Sequence, residues 1–165
     1  IKLHSVNCVD GTREGIAAIS AALTAAPIDI GLIGIGENAH IAFNDPPADF
    51  DVEDPYIIVK LNDTCKKQQA GEGWFATPDD VPSEAISMSV KQILKCKKII
   101  SCVPYAVKAN AIKMTIENST TNMIPATIMK EHPDFTLLLD KDSASLINKE
   151  MAEKDCPTLE SYTEL

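Results

Sequence analysis

The sequence predicts an α/β fold, a Rossmann-like layered domain with a largely parallel sheet. Two observations support this prediction. Short, nearly continuous apolar runs, typical of strands buried on both faces, alternate along the chain with segments of helical periodicity. The first run, residues 28–33, leads directly into a glycine turn, which is typical of the carboxyl end of a strand in such sheets. Alternation of this kind favours a layered α/β domain over separate helical and β regions.

The strands are predicted from apolar runs, and the helices from apolar residues at helical spacing. The predicted strands are residues 28–33, 56–61, 86–90, 99–103 and 135–139. The predicted helices are residues 12–24, 106–116 and 124–130, the last with Pro125 near its start. The longest irregular stretches are residues 49–55 and 71–82, and neither has the composition of a linker. Residues 1–165 are therefore predicted to form a single domain.

Composition and charge exclude several classes of partner. The chain has 15 Lys and Arg against 24 Asp and Glu, a formal net charge of −9, and no basic block that could follow a nucleic-acid backbone. No apolar stretch approaches the ~18 residues of a membrane span. The sequence therefore predicts neither nucleic-acid nor membrane binding. An anionic ligand would need local cations or backbone N–H groups, because the overall charge repels it.

The cysteines argue for a reduced, cytoplasmic protein. The five are Cys8, Cys65, Cys96, Cys102 and Cys156. Their number is odd and no two have the spacing of a zinc motif, so neither a disulfide framework nor a zinc site is predicted. A catalytic thiol stays open as an alternative to buried, unreactive cysteines. The acidic pair Asp140 and Asp142 lacks a third ligand, and no metal or other cofactor is predicted.

The segment with the strongest chemical signal is residues 34–46, GIGENAHIAFNDP. His40 follows the carboxyl end of the first predicted strand, where ligands collect in parallel sheets. Asn38 and Asp45 are close to it in sequence, and a carboxylate can fix the tautomer of an imidazole that acts as general acid or base. A loop histidine bonded to backbone remains the alternative. The glycine pair at 34 and 36 lacks the third glycine and the acidic residue of a nicotinamide site.

Residues 28–46 resemble the active-site segment of the glucosamine-6-phosphate deaminase (isomerase) family. The pattern of that family is a strand followed by G-[IV]-G-x-[DN]-G-H-I-[AG]-F-N-[ED]-P. The resemblance continues through residues 61–75 (LNDTCKKQQAGEGWF), 81–90 (VPSEAISMSV) and 99–109 (IISCVPYAVKA), and covers residues 1–147. Because so many residues of the family pattern occur in order after a predicted strand, the resemblance is specific.

The resemblance implies a role for each matching residue. His40 would open the pyranose ring by moving a proton to or from the ring oxygen. Asp45 would orient His40, and Asn38 would support it through a hydrogen bond. Lys108 would contact the sugar phosphate at a helix start, where the helix dipole also favours an anion. Gly34 and Gly36 would let the backbone approach the substrate.

Three departures from the family pattern are visible. The N-terminal part of the family, with a phosphate loop and the enolising Asp, has no counterpart, so residues 1–165 are expected to be a C-terminal portion of the full fold. The glycine before the histidine is Ala39, which would be strained at a positive φ. Asp45 replaces the commoner Glu and has a shorter reach.

The function implied by the resemblance is conversion of glucosamine 6-phosphate to fructose 6-phosphate and ammonia. The ligand would be a phosphorylated amino sugar, no cofactor or metal is implied, and a homo-oligomer or a completing chain is left open. The alternatives are a sugar-phosphate-binding or inactive relative and, less favoured, a 6-phosphogluconolactonase-like hydrolase. The IAFN continuation after His40 argues against the hydrolase.

Overall fold

The computed structural model describes residues 6–148, which form five strands and four α-helices. The strands are β1 (Ile30–Leu32), β2 (Tyr56–Lys60), β3 (Glu84–Met88), β4 (Lys98–Val103) and β5 (Phe135–Leu139). The helices are α1 (Gly15–Thr24), α2 (Asp63–Gly71), α3 (Val90–Leu94) and α4 (Ala109–Glu117). Three 3-10 segments supplement them: Pro78–Asp80, Ala106–Lys108 and Pro125–Glu131.

The central sheet is parallel, as the sequence predicts, and has the strand order β1-β4-β5. β4 lies in the middle, with Leu32 of β1 opposite Ile100 on one side and Leu139 of β5 opposite Val103 on the other. All three strands therefore end at the same edge of the sheet. The turn that carries His40 follows β1 at this edge, and the segment that carries Lys108 follows β4.

β2 and β3 do not join this sheet. They form a separate antiparallel ribbon in which Tyr56 pairs with Met88 and Lys60 with Glu84. The run at 56–61 was predicted to be a strand buried on both faces, whereas β2 is only partly buried. An apolar run indicates that a segment is buried, but which strand it pairs with depends on tertiary contacts, as for β2 and β3.

One face of the parallel sheet packs on the hydrophobic core. Ile99 and Val103 of β4 belong to a buried cluster with Ile93 of α3 and Ile112 of α4, together with residues of the Pro125–Glu131 segment. α4 presents its buried residues at helical spacing, as an amphipathic helix on a sheet does. These helices fix β4, and through it the sheet edge where the predicted site residues lie.

The opposite face of the sheet is less covered within residues 6–148. Ile30 and Leu32 of β1 are 55% and 77% exposed, and Cys102 and Leu138, which are paired across β4 and β5, are also exposed. Side chains at alternate positions of a strand share a face, so these residues form one apolar surface. Parallel sheets usually bury both faces, and this one buries mainly the core side.

The helices agree less well with the predictions than the strands do. α2 was not predicted, and α3 was implied only by the resemblance of residues 81–90 to a stretch that leads into a helix. Val90, assigned to a strand, begins α3 after Ser89, whose Oγ accepts a hydrogen bond from the Gln92 N–H. The predicted helix at 124–130 is a 3-10 segment. The mean hydropathy of α2 is low, so it has no apolar stripe that a sequence pattern could reveal. No helix in residues 6–148 has both the length and the apolar character needed to cross a bilayer.

Candidate active site

The turn after β1 folds back on itself and holds His40 against its own backbone. Ile35 pairs with Ile41 in an antiparallel bridge, and the Gly36 N–H donates to the His40 carbonyl at 2.9 Å. Ile41 is fully buried and belongs to the core cluster. Ile41 thus anchors the turn in the core, and the polar residues on either side of the IAF segment contact one another.

Asn38, His40 and Asp45 form one hydrogen-bonded group, called here the His40 cluster. The His40 Nδ1 lies 2.7 Å from the Asn38 Oδ1 and 3.1 Å from the Asp45 Oδ1. The Asn38 Nδ2 donates to the same Asp45 oxygen at 3.0 Å. The imidazole is 8% exposed and the Asp45 side chain 7%. Every predicted member of the proton-transfer group is therefore in mutual contact.

These contacts assign the tautomer of His40. Both groups that face Nδ1 are oxygen acceptors, so Nδ1 carries the proton and donates it. Nε2 of the neutral ring is then left with a free lone pair, and it makes no hydrogen bond to any residue in 6–148. An imidazole held this way can accept a proton at Nε2 and pass it on.

Asp45 is held as a carboxylate by three donors. Burial raises the pKa of Asp45, but hydrogen bonds from His40, Asn38 and the Asn62 N–H outweigh it and lower the pKa below its ordinary value. The Asn62 N–H donates to Oδ2 at 3.2 Å, and Asn62 is also the N-cap of α2. Asp45 therefore lies at the positive end of a helix, which favours its negative charge.

Gly36 is required by the imidazole. A Cβ built at Gly36 would lie 2.2 Å from the His40 Cε1 and 2.3 Å from Nε2, far inside van der Waals contact. The ring therefore lies flat against the backbone at Gly36. At Gly34 a Cβ would meet nothing within 4 Å, so of these two glycines only Gly36 is required by packing.

Ala39 adopts the left-handed conformation that the sequence comparison anticipated, with φ +63°. An alanine there costs about 1 kcal/mol more than a glycine, a cost of the kind found at functional turns. Its methyl group is fully buried, which offsets about 0.8 kcal/mol of that cost. The exchange of glycine for alanine is therefore nearly neutral at this position.

Cys65 is a neighbour of the His40 cluster that the sequence analysis did not assign. Its thiol is fully buried on the first turn of α2, where its N–H donates to Asn62 Oδ1. Burial, with the charges of Asp45 and Glu72, raises the pKa of the Cys65 thiol to about 11. Such a thiol is protonated near neutral pH, which argues against Cys65 as a catalytic nucleophile.

A cleft of about 840 Å³ opens beside the turn, between the segment after β4 and α2. The residues that line it are Gly34, Ile35, Glu37, Thr64, Lys67, Gln68, Gly71, Glu72, Cys102, Val103, Pro104, Tyr105, Val107 and Lys108. Its lining therefore includes two lysines and two glutamates. A second cavity, near 560 Å³ and lined by residues 47–51 and 120–122, contains none of the predicted site residues.

Lys108 lines this cleft from the first helical turn after β4, and Lys67 lines it from α2. Tyr105, which precedes that turn, has φ +79°, rare for a residue with a side chain, and its N–H donates to the Asp140 Oδ2 at 2.9 Å. Hydrogen bonds from Ser143 and Tyr105 lower the pKa of Asp140. Asp140 therefore holds the turn that presents Lys108.

The predicted residues fall into two groups. Asn38, His40 and Asp45 touch one another, while Gly34 and Lys108 line the cleft. Gly36 lies behind the ring, and the imidazole itself is not among the residues that line the cleft. The turn connects the two groups, because Ile35 and Glu37 on either side of Gly36 do line it.

The sequence analysis missed the contribution of α2. Lys67, Gln68 and Glu72 line the cleft, and Gln68 Oε1 accepts the Glu37 N–H at 3.1 Å while its Nε2 donates to Glu72. The resemblance at residues 61–75 marked the segment but gave no role to its residues. A helix N-cap directly after a strand, Asn62-Asp63, is the one local signal that could have placed a helix here.

Comparison with known proteins finds relatives that are longer than this chain. The chain is 40% identical over 125 residues to a glucosamine-6-phosphate deaminase of Listeria welshimeri, which covers 76% of this chain and 52% of the relative. It is 41% identical over 126 residues to one of Thermoanaerobacter pseudethanolicus, covering 76% of this chain and 48% of the relative. The chain thus spans about half the length of the curated relatives it matches. No family model matches it.

Solved structures give the same fold. A monomeric glucosamine-6-phosphate deaminase superposes with a TM-score of 0.74 at 31% identity, covering 83% of this chain and 56% of that one. A 6-phosphogluconolactonase of Trypanosoma cruzi superposes with a TM-score of 0.59 at 17% identity, covering 88% and 55%. The second likeness is one of fold alone. Together they confirm the α/β, Rossmann-like class.

Proposed function

Because the chain belongs to the glucosamine-6-phosphate deaminase family, we propose that it acts in the conversion of glucosamine 6-phosphate to fructose 6-phosphate and ammonia, with His40 as the acid and base that opens the sugar ring. The observation that carries this proposal is the bonding of His40. Two oxygen acceptors at Nδ1 leave Nε2 as the proton acceptor. We further propose that residues 1–165 act as one glucosamine-6-phosphate isomerase-like domain.

The proposed step is ring opening of the pyranose. Nε2 takes the proton of the anomeric hydroxyl, the C1 to ring-oxygen bond breaks as the aldehyde forms, and the imidazolium returns the proton to the ring oxygen. One imidazole serves both transfers because the two oxygens share a carbon. Asp45 stabilises the imidazolium through Nδ1, and Asn38 keeps the ring in place.

The proposed phosphate contacts are Lys108 and Lys67 in the cleft. A chain of net charge −9 repels an anion at long range, so binding depends on such local cations. The helical stretch that begins at Ala106 adds N–H groups at its start, since the first turn of a helix leaves them without intrahelical partners. Gly34, with space beside its Cα, would let the sugar phosphate approach the backbone.

A sugar-phosphate-binding protein without turnover is the second candidate. One observation favours it: His40 is only 6% exposed and is not part of the cleft that holds both lysines. Such a protein would bind glucosamine 6-phosphate in the cleft, and His40 would serve only to hold the turn. Association with further copies or with a completing chain stays a prediction.

Ammonia release from glucosamine 6-phosphate separates the two candidates. If the chain is the enzyme, the wild type should release ammonia, and the rate should fall about 100-fold or more in His40→Gln, the usual scale for a general acid or base. His132→Gln is the matched control, because His132 is also nearly buried but bonds to the Cys96 carbonyl outside the site. Its turnover should persist even if its stability falls.

The same sample supplies the opposing outcome. Thermal stabilisation by glucosamine 6-phosphate without any ammonia would support the binding protein and reject the enzyme. Ammonia release that His40→Gln leaves unchanged would reject the role of His40. If the sample shows no ammonia release and no thermal stabilisation by glucosamine 6-phosphate, both candidates are rejected.

A further inference from the structure

Cys65 has no part in the proposed function, yet its thiol lies beside two groups that do. The ligand atoms of His40, Asp45 and Cys65 all lie within 4.8 Å of one another, in the only such group of three or more His, Cys, Asp or Glu residues among residues 6–148. His40 and Asp45 come from the turn after β1, and Cys65 comes from α2. The three therefore meet only in the folded chain.

An imidazole nitrogen, a carboxylate oxygen and a sulfur are the donors that Zn²⁺ prefers, and three protein ligands leave a fourth position open. In a tetrahedral Zn²⁺ site, bond lengths of about 2.0–2.3 Å place neighbouring ligand atoms roughly 3.3–3.8 Å apart. The His40 Nδ1 and Asp45 Oδ1 are already 3.1 Å apart. The widest separation among the three ligand atoms is at most 4.8 Å, about 1 Å more than the tetrahedral spacing.

Charge also suits a divalent cation. A carboxylate and a thiolate carry two negative charges and a neutral imidazole none, so a bound M²⁺ would leave this buried group with no net charge. The surroundings already hold the ligands in place. Asn38 Nδ2 donates to the Asp45 Oδ1, and the Asn62 N–H donates to Oδ2, as outer partners of metal ligands do.

We propose that His40, Asp45 and Cys65 bind a thiophilic divalent cation, with Zn²⁺ as the fitting ion, and that the bound ion switches the His40 cluster off. On binding, the Cys65 thiol loses its proton to solvent, and the imidazole proton moves from Nδ1 to Nε2 as the metal takes Nδ1. Nε2 then has no lone pair with which to accept a proton. Binding itself does not depend on the proposed function; only the inhibition rests on it.

Co²⁺ titration tests the binding without any turnover. The 165-residue chain, reduced and treated with a chelator, is titrated with Co²⁺ alone, and the near-ultraviolet absorption of thiolate-to-cobalt charge transfer is recorded. We expect a band that saturates at one Co²⁺ per chain and disappears when Zn²⁺ is added. Cys65→Ser should abolish the band, and Cys8→Ser should keep it, because Cys8 is exposed and belongs neither to the cluster nor to the cleft lining.

Two further variants keep the test decisive if Cys65→Ser fails to fold, as judged by circular dichroism. His40→Gln removes the nitrogen ligand and should weaken Co²⁺ binding at least tenfold. Asn38→Ala keeps all three ligands but removes their outer partner, and should weaken binding about 10- to 100-fold. Absence of the band, its persistence in Cys65→Ser, its loss in Cys8→Ser, or unchanged affinity in His40→Gln would each overturn the proposal.

Inhibition is measured separately on the same proteins. If the chain releases ammonia, Zn²⁺ at the concentration that displaces Co²⁺ should stop the release in the wild type and in Cys8→Ser, but not in Cys65→Ser. Turnover that continues with the metal bound would overturn the switch. A chain that binds Co²⁺ as expected but never releases ammonia would refute the proposed function and leave the metal site standing, so the two failures are distinguishable.

Discussion

The His40 cluster and the cleft differ in how the fold builds them. The cluster is nearly buried, its three members lie within eight residues of chain, and each polar atom that faces another is hydrogen-bonded. The cleft is lined by residues of three separate segments, and its two lysines come from helical turns that are distant in sequence. A substitution in the cluster should therefore affect stability and proton transfer together. A substitution in the cleft should affect ligand binding alone.

Asp45→Asn is expected to have the largest effect. Asp45 accepts hydrogen bonds from His40, Asn38 and Asn62, whereas an amide offers one oxygen and turns an NH₂ toward a donor. The proposed ammonia release should fall about 100-fold or more, because the imidazolium loses its carboxylate. Urea unfolding should show a loss of about 1–3 kcal/mol from the unsatisfied donor.

The exposed Asp54 offers the control for this substitution. Asp54→Asn should change the free energy of unfolding by less than about 0.5 kcal/mol. If Asp45→Asn unfolds like the wild type and turns over normally, the cluster is not the connected unit described above.

Lys108→Met should change binding without changing stability. A charge-assisted contact to phosphate contributes about 1.5–3 kcal/mol, so the dissociation constant for glucosamine 6-phosphate should rise roughly 10- to 100-fold by calorimetry. Lys67→Met should act in the same direction, since both lysines line the cleft. Lys113 pairs with Glu117 on α4 and lies outside the cleft, so Lys113→Met should leave the affinity for glucosamine 6-phosphate unchanged.

A loss of stability in Lys108→Met equal to that of Asp45→Asn would contradict the contrast between cluster and cleft. Equal affinities of Lys108→Met and Lys113→Met would remove Lys108 from the phosphate site.

Gly36→Ala should destabilise the chain by about 1–3 kcal/mol, the cost of overpacking a close contact. The added methyl would occupy the place of the imidazole, which lies within 2.5 Å of it. Gly34→Ala is the matched control, because it makes the same change where no atom lies within 4 Å, and its stability should stay within about 0.5 kcal/mol of the wild type. Equal stabilities of the two variants in urea would mean that the ring does not lie on Gly36.

The smallest effect concerns pH. The pKa of Asp45 in the folded chain is lowered from its ordinary 3.8, so its contribution to stability is fully present above that value and is lost as pH falls through the folded pKa. The difference in unfolding free energy between wild type and Asp45→Asn should therefore be constant near neutrality and shrink below pH 3.8. A difference that grows on acidification would contradict the assigned hydrogen bonds.

The turn and its cluster could be predicted from sequence because they are local. Asn38, His40 and Asp45 lie in one turn, and their contacts follow from its short reach. The strands of the parallel sheet were predicted for a related reason: each is a short apolar run whose period does not depend on its partner. The pairing of β2 with β3 was not predicted because it joins segments that are distant in sequence. The helix α2 was not predicted because it has no apolar stripe, and apolar spacing did not distinguish an α-helix from the 3-10 form of Pro125–Glu131.

The sequence by itself determined the class of fold, the segment that carries the proposed chemistry and the family of the chain. All three follow from patterns of neighbouring residues. Only the tertiary structure decided that Cys65 lies beside Asp45, that the imidazole is packed on Gly36, and that the lysines face a cleft the ring does not enter. The physical reason is that packing between segments fixes burial and distance. Local pattern fixes only which residues are available to meet.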